Sequence, residues 1–475
     1  MSPLDKKLLR DVKRLWAHAL AITLVMAAGM ATVLLAVGSY RSVDETRIAY
    51  YERQLFAHVF ATVERAPRRL AGQIAEIPGV ATVETRVVKS ALLDIEGMDE
   101  PATGQFIGVP DGGMPKLNRP YLKSGRLLAR QSADKVVVNQ AFAQAHAFGL
   151  GDTFSATLNG RSYRLRIVGT AYSPEFAYVA GSGDIMPDDR RFGVVWMNEN
   201  ALAAIYDLQA AFTSLLVRTT RDANQDMILD QIDSRLARYG GQASYGRRDQ
   251  FSYAFLNHGL DMLRSMSLTL PPVFFAIAFF LTYMSLGRII HIERTQIGLL
   301  KAFGYSNSAV VGHYLKFVAI LCLAGIVAGS AAGILLGRYV THLYSDYFRF
   351  PVLVFAPATD VFLVAALLPS LAGMTGAAQT VMRVAALVPA DAMRPEPPAH
   401  FRGAPIGVAK LVATLHPLTR MAFRSAIQNR MRSALTMIGL AMSSAILIAS
   451  LYLGDSMEHL VDVKFMLSER QDASL

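Results

Sequence analysis

Hydrophobic and polar residues are patterned along this chain on two scales. On the longer scale, apolar runs cover residues 17–38, 268–286, 317–340, 361–381 and 434–453. Each is about the 20 residues that cross a bilayer core as a helix. They are laid out one, then three, then one, and a long hydrophilic stretch, 41–266, follows the first. The fifth run repeats the setting of the first. A basic amphipathic segment leads in and acidic residues follow, Asp44 and Glu45 after the first run and Asp455 and Glu458 after the fifth.

On the shorter scale, residues 1–16 place Leu4, Leu8, Val12 and Leu15 on one helical face, with Lys6, Arg10, Lys13 and Arg14 elsewhere. That pattern predicts a helix lying at the inner membrane surface. The approach to the fifth run, 416–432, has the same character, with Leu418, Met421, Ala422 and Ile427 set among Arg420, Arg424, Arg430 and Arg432. Residues 393–405 are rich in Pro and polar residues and read as a linker. Within 41–266 the pattern predicts helices over 50–77, 140–146, 224–239 and 249–264. Strands are predicted over 79–88, 135–139, 154–158, 163–170, 193–197 and 214–218. Asn159–Gly160 between two of these is a strong hairpin signal. The fold class expected is an α-helical membrane protein with five transmembrane helices and a large mixed α/β extracytoplasmic domain, large enough for two lobes.

Composition agrees, with 52% hydrophobic and 18% charged residues in 475. The net charge of +10 is unevenly held. Segments 1–18, 287–316 and 382–433 together carry 17 Lys/Arg against 5 Asp/Glu, whereas 41–266 carries 26 against 25. Lys and Arg near span ends are retained on the cytoplasmic side, so the N-terminus is placed inside and the large domain outside. The tail, 454–475, then lies outside as well. The cationic excess sits beside apolar spans, where anionic lipid is the expected partner rather than nucleic acid. The first run is longer than a signal-peptide core and reads as a retained helix. The one cysteine, Cys322, lies within the third run, which excludes an intrachain disulfide and a Cys-based zinc site.

The chemistry-bearing residues form no catalytic set. His58, His146 and His258 lack metal-ligand spacing, and Asp184, Asp188 and Asp189 beside Arg190 and Arg191 read as a solvated turn. No GxSxG, HExxH or GxxxxGK[ST] occurs. The spans hold no deep ionisable residue of the kind that ion-driven transporters use. Any ATP-driven work therefore needs a second subunit. In the third span Gly325, Gly329, Gly333 and Gly337 recur every four residues, a spacing that lets another helix approach closely. Pro369 in the fourth span predicts a bend or break. Between the second and third spans, residues 297–303 form a short apolar helix ending at Gly304, a residue suited to a helix C-terminus. By composition it is either a tight connector or a docking surface.

Taken together, the layout resembles the FtsX-like permease family of ABC transporters, which includes the macrolide and lipoprotein exporters. The inner segment RTQIGLLKAFGYS, 294–306, is similar to that family's R-x-x-E-I-G-x-x-[KR]-A-[LF]-G. Here Gln296 stands where the family has Glu, one residue closer to Arg294. Residues 124–154, with Gly149 and Gly151–Asp152, resemble the MacB-like core domain. The segment after His416 resembles the start of the second copy found in duplicated members. As no second outer domain follows before Leu475, the resemblance implies a fragment of a longer permease or a vestigial fifth span.

The resemblance implies a permease without its own ATPase, with ATP and Mg bound by a separate cassette subunit. Arg294, Gln296, Ile297, Gly298, Leu299, Leu300, Lys301, Phe303, Gly304 and Tyr305 would touch that subunit. A second permease half (a homodimer or a second repeat) is required, and a periplasmic accessory protein is a further expected partner. Motion of the cassettes would pass through 50–77 and 249–264 to the outer domain, which would export or extract an extracytoplasmic or lipid-borne substrate. The alternative is a signalling complex of the cell-division kind, activating an extracytoplasmic enzyme with nothing transported.

Overall fold

The structure, a computed structural model, describes residues 3–130, 132–179, 181, 187–385 and scattered positions between 433 and 463. It divides into two compact units. One comprises residues 33–268 and 333–362, the other 1–32, 269–332 and 363–475.

The first unit is the hydrophilic domain, and it has two lobes. The smaller lobe is built from β1 (Val59–Pro67), α4 (Leu70–Ala75), β2 (Val80–Arg86), β10 (Ala211–Thr219), α7 (Gln225–Leu236) and β11 (Tyr245–Gly246). Its antiparallel sheet runs β11-β1-β10-β2. This is a split βαβ arrangement, and the second lobe is inserted between β2 and β10. Val59, Ala61, Val63, Phe212 and Leu215 bury one sheet face against Ile74 of α4 and Ile228 and Ile232 of α7.

The inserted lobe carries β3 (Val88–Asp94), β4 (Ala102–Val109), β5 (Tyr121–Gly125), β6 (Lys135–Asn139), α5 (Gln140–Ala145), β7 (Thr153–Leu158), β8 (Arg161–Tyr172), β9 (Phe192–Asn198) and α6 (Glu199–Ile205). Its strand order is β5-β8-β6-β9-β4-β3-β7, and β7 pairs again with β8. Six strands therefore close on themselves around Phe106, Phe142, Phe154, Val138 and Ile167. The β7–β8 hairpin turns at Asn159 and Gly160, with φ of 47° and 74°. These positive angles at both centres make the turn that matches strand twist, which is why Asn-Gly marks it in the sequence.

The helix expected over 50–77 is a correction. Helix α3 (Ser39–Arg53) stops there and β1 begins at Val59. Leu55, at φ 52°, turns the chain out of the helix, and Phe60 to Thr62 pair with Leu216 to Ser214. Pairing with a strand more than 150 positions away overrode the local helical pattern. Strands β3, β4 and β5 and helix α6 were not anticipated at all.

The second unit holds α1 (Pro3–Arg14), α2 (Trp16–Val33) and α9 (Arg294–Ala302). It also holds parts of α8 (Phe251–Ile292), α10 (Asn307–Tyr347) and α11 (Thr359–Ala385). Among the described residues, four helices are long and apolar enough to cross a membrane: 16–53, 251–290, 307–345 and 359–382. Helix α11 continues through Pro369 without a break. The ring sits close to Gly29, where a Cβ would be 3.7 Å away, so the proline is accommodated by helix packing. The fifth expected span, 434–453, is described only at isolated positions, and the linker 386–432 lies outside the described residues.

Candidate functional site

Helix α9 follows α8 after one residue, Glu293, and ends in a tight reversal. The Gly304 N–H donates to Lys301 O at 3.0 Å and the Tyr305 N–H to Leu300 O at 3.2 Å. With Gly304 at φ +90°, this is the Schellman pattern, which requires a residue tolerant of left-handed backbone. The helix is two-faced. Ile297, 1% exposed, and Gly298 are buried, whereas Leu299 and Phe303 are 50% and 74% exposed. Being four apart, those two form one apolar ridge. Arg294, Gln296, Leu300, Lys301 and Tyr305 are half-buried, and Gly304 is exposed.

The buried face of α9 shares a core with the N-terminal helix. Leu8 of α1, Ile22 and Met26 of α2, Ile289 and Ile290 of α8, and Phe317 and Leu321 of α10 pack with Ile297. Above this core lies an ionic cluster that the sequence did not announce. Glu293 is 1% exposed and meets Lys7 Nζ at 3.1 Å and the Arg14 guanidinium. Asp11 pairs with Lys7 and accepts from His313 Nε2 at 3.3 Å. The hydrogen-bond network orients the Gln296 amide so that its nitrogen donates to Glu293 Oε2 at 2.9 Å and its oxygen accepts from Arg14 Nη1 at 3.1 Å. A carboxylate is thus present one helical turn before Gln296, facing α1. Burial pushes the Asp11 pKa up, but hydrogen bonds from His313 and Lys7 outweigh it and hold the carboxyl below its ordinary range.

Beside the cluster, α1 and α9 border a cleft of about 470 Å³ lined by Lys7, Arg10, Arg14, Gln296, Leu300 and Tyr305. Asp11 lines the cleft as well, so the recess is polar and of mixed charge beside the apolar ridge.

The glycine row of α10 makes close helix contacts. A Cβ on Gly325 would lie 2.5 Å from Met26 Cβ, and one on Gly329 would lie 2.5 Å from Ala27 O. Gly333 is buried. Gly337 abuts Phe355, whose ring would be 2.3 Å from an added Cβ.

In the hydrophilic domain, Asp188 Oδ1 accepts from the Arg190 and Arg191 amides at 2.9 and 3.2 Å, and Asp189 pairs with Arg349. Asp184 lies outside the described residues. His58 Nδ1 accepts from the Thr219 amide at 3.2 Å. Burial, then the nearby charges of Arg247 and Arg218, bring its pKa down to about 4. Among the described residues no cluster of His, Cys, Asp and Glu is suited to a metal ion.

Residues 269–386 match the family of FtsX-like permease C-terminal segments, and residues 16–235 match the MacB-like periplasmic core domain. The two matches together give the chain the parts of an FtsX-like permease. Such a permease is a membrane component of the ABC transporter class, with an extracytoplasmic domain on apolar helices. Among solved structures, the periplasmic region of MacB from Actinobacillus actinomycetemcomitans is similar at 13% identity and a TM-score of 0.27. That match covers 44% of this permease and 95% of the MacB region. The extracellular domain of the noncanonic ABC-type transporter YknZ from Gram-positive bacteria is similar at 12% identity and a TM-score of 0.28. It covers 40% of this permease and 98% of that domain. No curated protein sequence matches.

Proposed function

We propose that this permease couples ATP hydrolysis in a separate cassette subunit to movement of its extracytoplasmic domain, and so exports or extracts a substrate. The observation that supports this most directly is the Leu299–Phe303 ridge. Two large apolar side chains stand in solvent on a helix whose other face is held in a core. Exposed apolar groups placed together mark a protein or membrane contact, and in this reading the ridge meets a protein. In this reading ATP and Mg bind the cassette subunit, which seats α9 in a groove. Helices α1 and α9 then lie in the cytoplasm, which the charge partition supports, and the membrane is the inner one. Helix α8 runs without interruption from Phe251 to Ile292, ending at Glu293. It offers one continuous element, with Pro271 and Pro272 inside it, through which displacement of α9 would reach the outer domain. Two permease halves around a pair of cassettes complete the assembly, the second half being another copy or a second repeat with a fifth span. An accessory periplasmic protein would engage the outer domain.

The test is a pull-down of the tagged chain from mild-detergent membranes, with assay of ATP hydrolysis in the recovered complex. A cassette ATPase is expected to co-purify with the wild type and to be lost with Leu299→Asp. Equal recovery with both chains would overturn the assignment of α9 as the coupling element. Recovery of an extracytoplasmic enzyme whose activity follows ATP turnover would favour the signalling function over transport.

A further inference from the structure

The hydrophilic domain contains a buried polar junction between its two lobes. Arg86, at the end of β2 in the smaller lobe, donates from Nη1 and Nη2 to Glu175 at 2.7 and 2.6 Å. Glu175 follows β8 of the inserted lobe, so this two-pronged ion pair joins the lobes. Asn118 Nδ2 donates to the same carboxylate at 2.8 Å, and Asn118 Oδ1 accepts from the Ala57 amide, just beyond α3, at 2.8 Å. On the other side, Gln250 Nε2, immediately before α8, donates to Glu175 O at 3.0 Å. One residue therefore touches both lobes and, through one hydrogen bond or two, both helices that enter and leave the domain.

Arg86, Asn118, Glu175 and Gln250 are all buried residues. Burial acts to lower the Arg86 pKa, but the Glu175 carboxylate more than offsets it, so the guanidinium is held charged. A buried ion pair adds little stability over apolar packing of the same volume, and its best-attested use is to fix one arrangement among several. The backbone here is also constrained. Leu55 and Asn118 are both left-handed, at φ 52° and 47°, and the Asn118 N–H donates to Leu55 O at 3.1 Å. Such conformations persist only where the surroundings impose them.

We propose that Glu175 is the positioning residue through which movement of α8 relative to α3 is converted into reorientation of one lobe against the other. The proposal rests on the coupling function above. Displacement at the head of α8 pulls the Glu175 main chain through Gln250, and the carboxylate transmits the pull to Arg86 on β2. The Asn118–Ala57 link holds the end of α3 as the point against which the lobes turn.

The experiment uses the full chain with its co-purified cassette ATPase in lipid nanodiscs, with Cys322→Ala and spin labels at Met227→Cys and Leu92→Cys. These positions lie on different lobes and are 48% and 52% exposed. The inter-label distance is read with and without ATP and vanadate. The wild type is expected to show an ATP-driven change. Glu175→Gln is expected to lose that change while keeping stimulated hydrolysis near the wild-type rate. Because Glu175→Gln takes from buried Arg86 the carboxylate it is bonded to and leaves only the nearby Glu84 charge, the apolar pair Arg86→Met with Glu175→Met serves as a second variant that keeps the volume filled. Its melting temperature is measured alongside. A folded apolar pair that retains the full distance change overturns the proposal and reduces the junction to packing. Stimulated hydrolysis with no distance change in the wild type also overturns it, while leaving the coupling function standing. No stimulated hydrolysis in the wild type overturns both.

Discussion

Glu293 Oε2 lies 3.1 Å from Lys7 Nζ, although 286 positions separate the two residues. The pair joins the N-terminal helix to the first turn of α9 inside a site where Glu293 is 1% exposed. Removing Glu293 takes from Lys7 and Arg14 the carboxylate they share and leaves Asp11 as their remaining partner within α1. Glu293→Ala is therefore expected to free α1 from α9. Amide hydrogen exchange over residues 4–14 should rise sharply while that of the outer domain stays unchanged. Unaltered exchange in α1 would show that its apolar contacts alone hold it.

Asp11 gives the same contact a pH dependence of known sign. Its folded pKa is lowered, so its contribution is fully present above the ordinary value of 3.8 and is lost as pH falls through the lower folded value. Docking of α1 is expected to be constant from pH 8 to about 5 and to weaken only below the ordinary Asp range. Asp11→Asn should abolish that acid transition. A spin label at Leu9, 60% exposed, would report both. A transition centred near pH 6 would assign the effect to a histidine instead.

Glu199 behaves oppositely. Burial raises its pKa to about 7, against the lowering effect of Arg68 at 2.8 Å. A carboxyl with a raised folded pKa contributes stability that is complete below its ordinary 4.5 and is lost as pH rises through about 7. Glu199→Gln is expected to flatten the fall in melting temperature between pH 5 and 8, stabilising the domain at pH 8 by up to about 3 kcal/mol. His58, with its lowered pKa of about 4, acts in the reverse direction below pH 6.5. The comparison of variant with wild type isolates Glu199. Parallel melting curves would show that its proton uptake is not linked to folding.

Gly329 is in close contact with α2, where an added Cβ would lie 2.5 Å from Ala27 O and 2.7 Å from Met30 Cβ. Backbone cannot move aside cheaply, so Gly329→Leu should separate α10 from α2 and cost about 1–3 kcal/mol by overpacking. Gly312, with nothing near its Cβ position, is the control. Gly312→Ala should leave the melting temperature in detergent close to wild type, and equal loss in both variants would mean the row has no packing role.

What the sequence determined by itself is what depends on local pattern. Runs of apolar residues can satisfy their backbone in lipid only as helices, so the four spans were legible. The Asn159–Gly160 hairpin and the Gly304 cap were legible because positive φ restricts which residues can stand there. Tertiary structure decided what depends on distant partners. Residues 59–67 became a strand only because β10 lies beside them, and the insertion of one lobe between β2 and β10 of the other rests on strand pairings that no local window shows. Gln296 at the family's Glu position suggested that a charge had been lost, whereas Glu293 supplies one to Lys7 and Arg14 across the fold. Likewise Arg86 and Glu175 are unremarkable in sequence. Their pairing arises from folding, because a buried charge must find its counter-charge wherever the chain brings it.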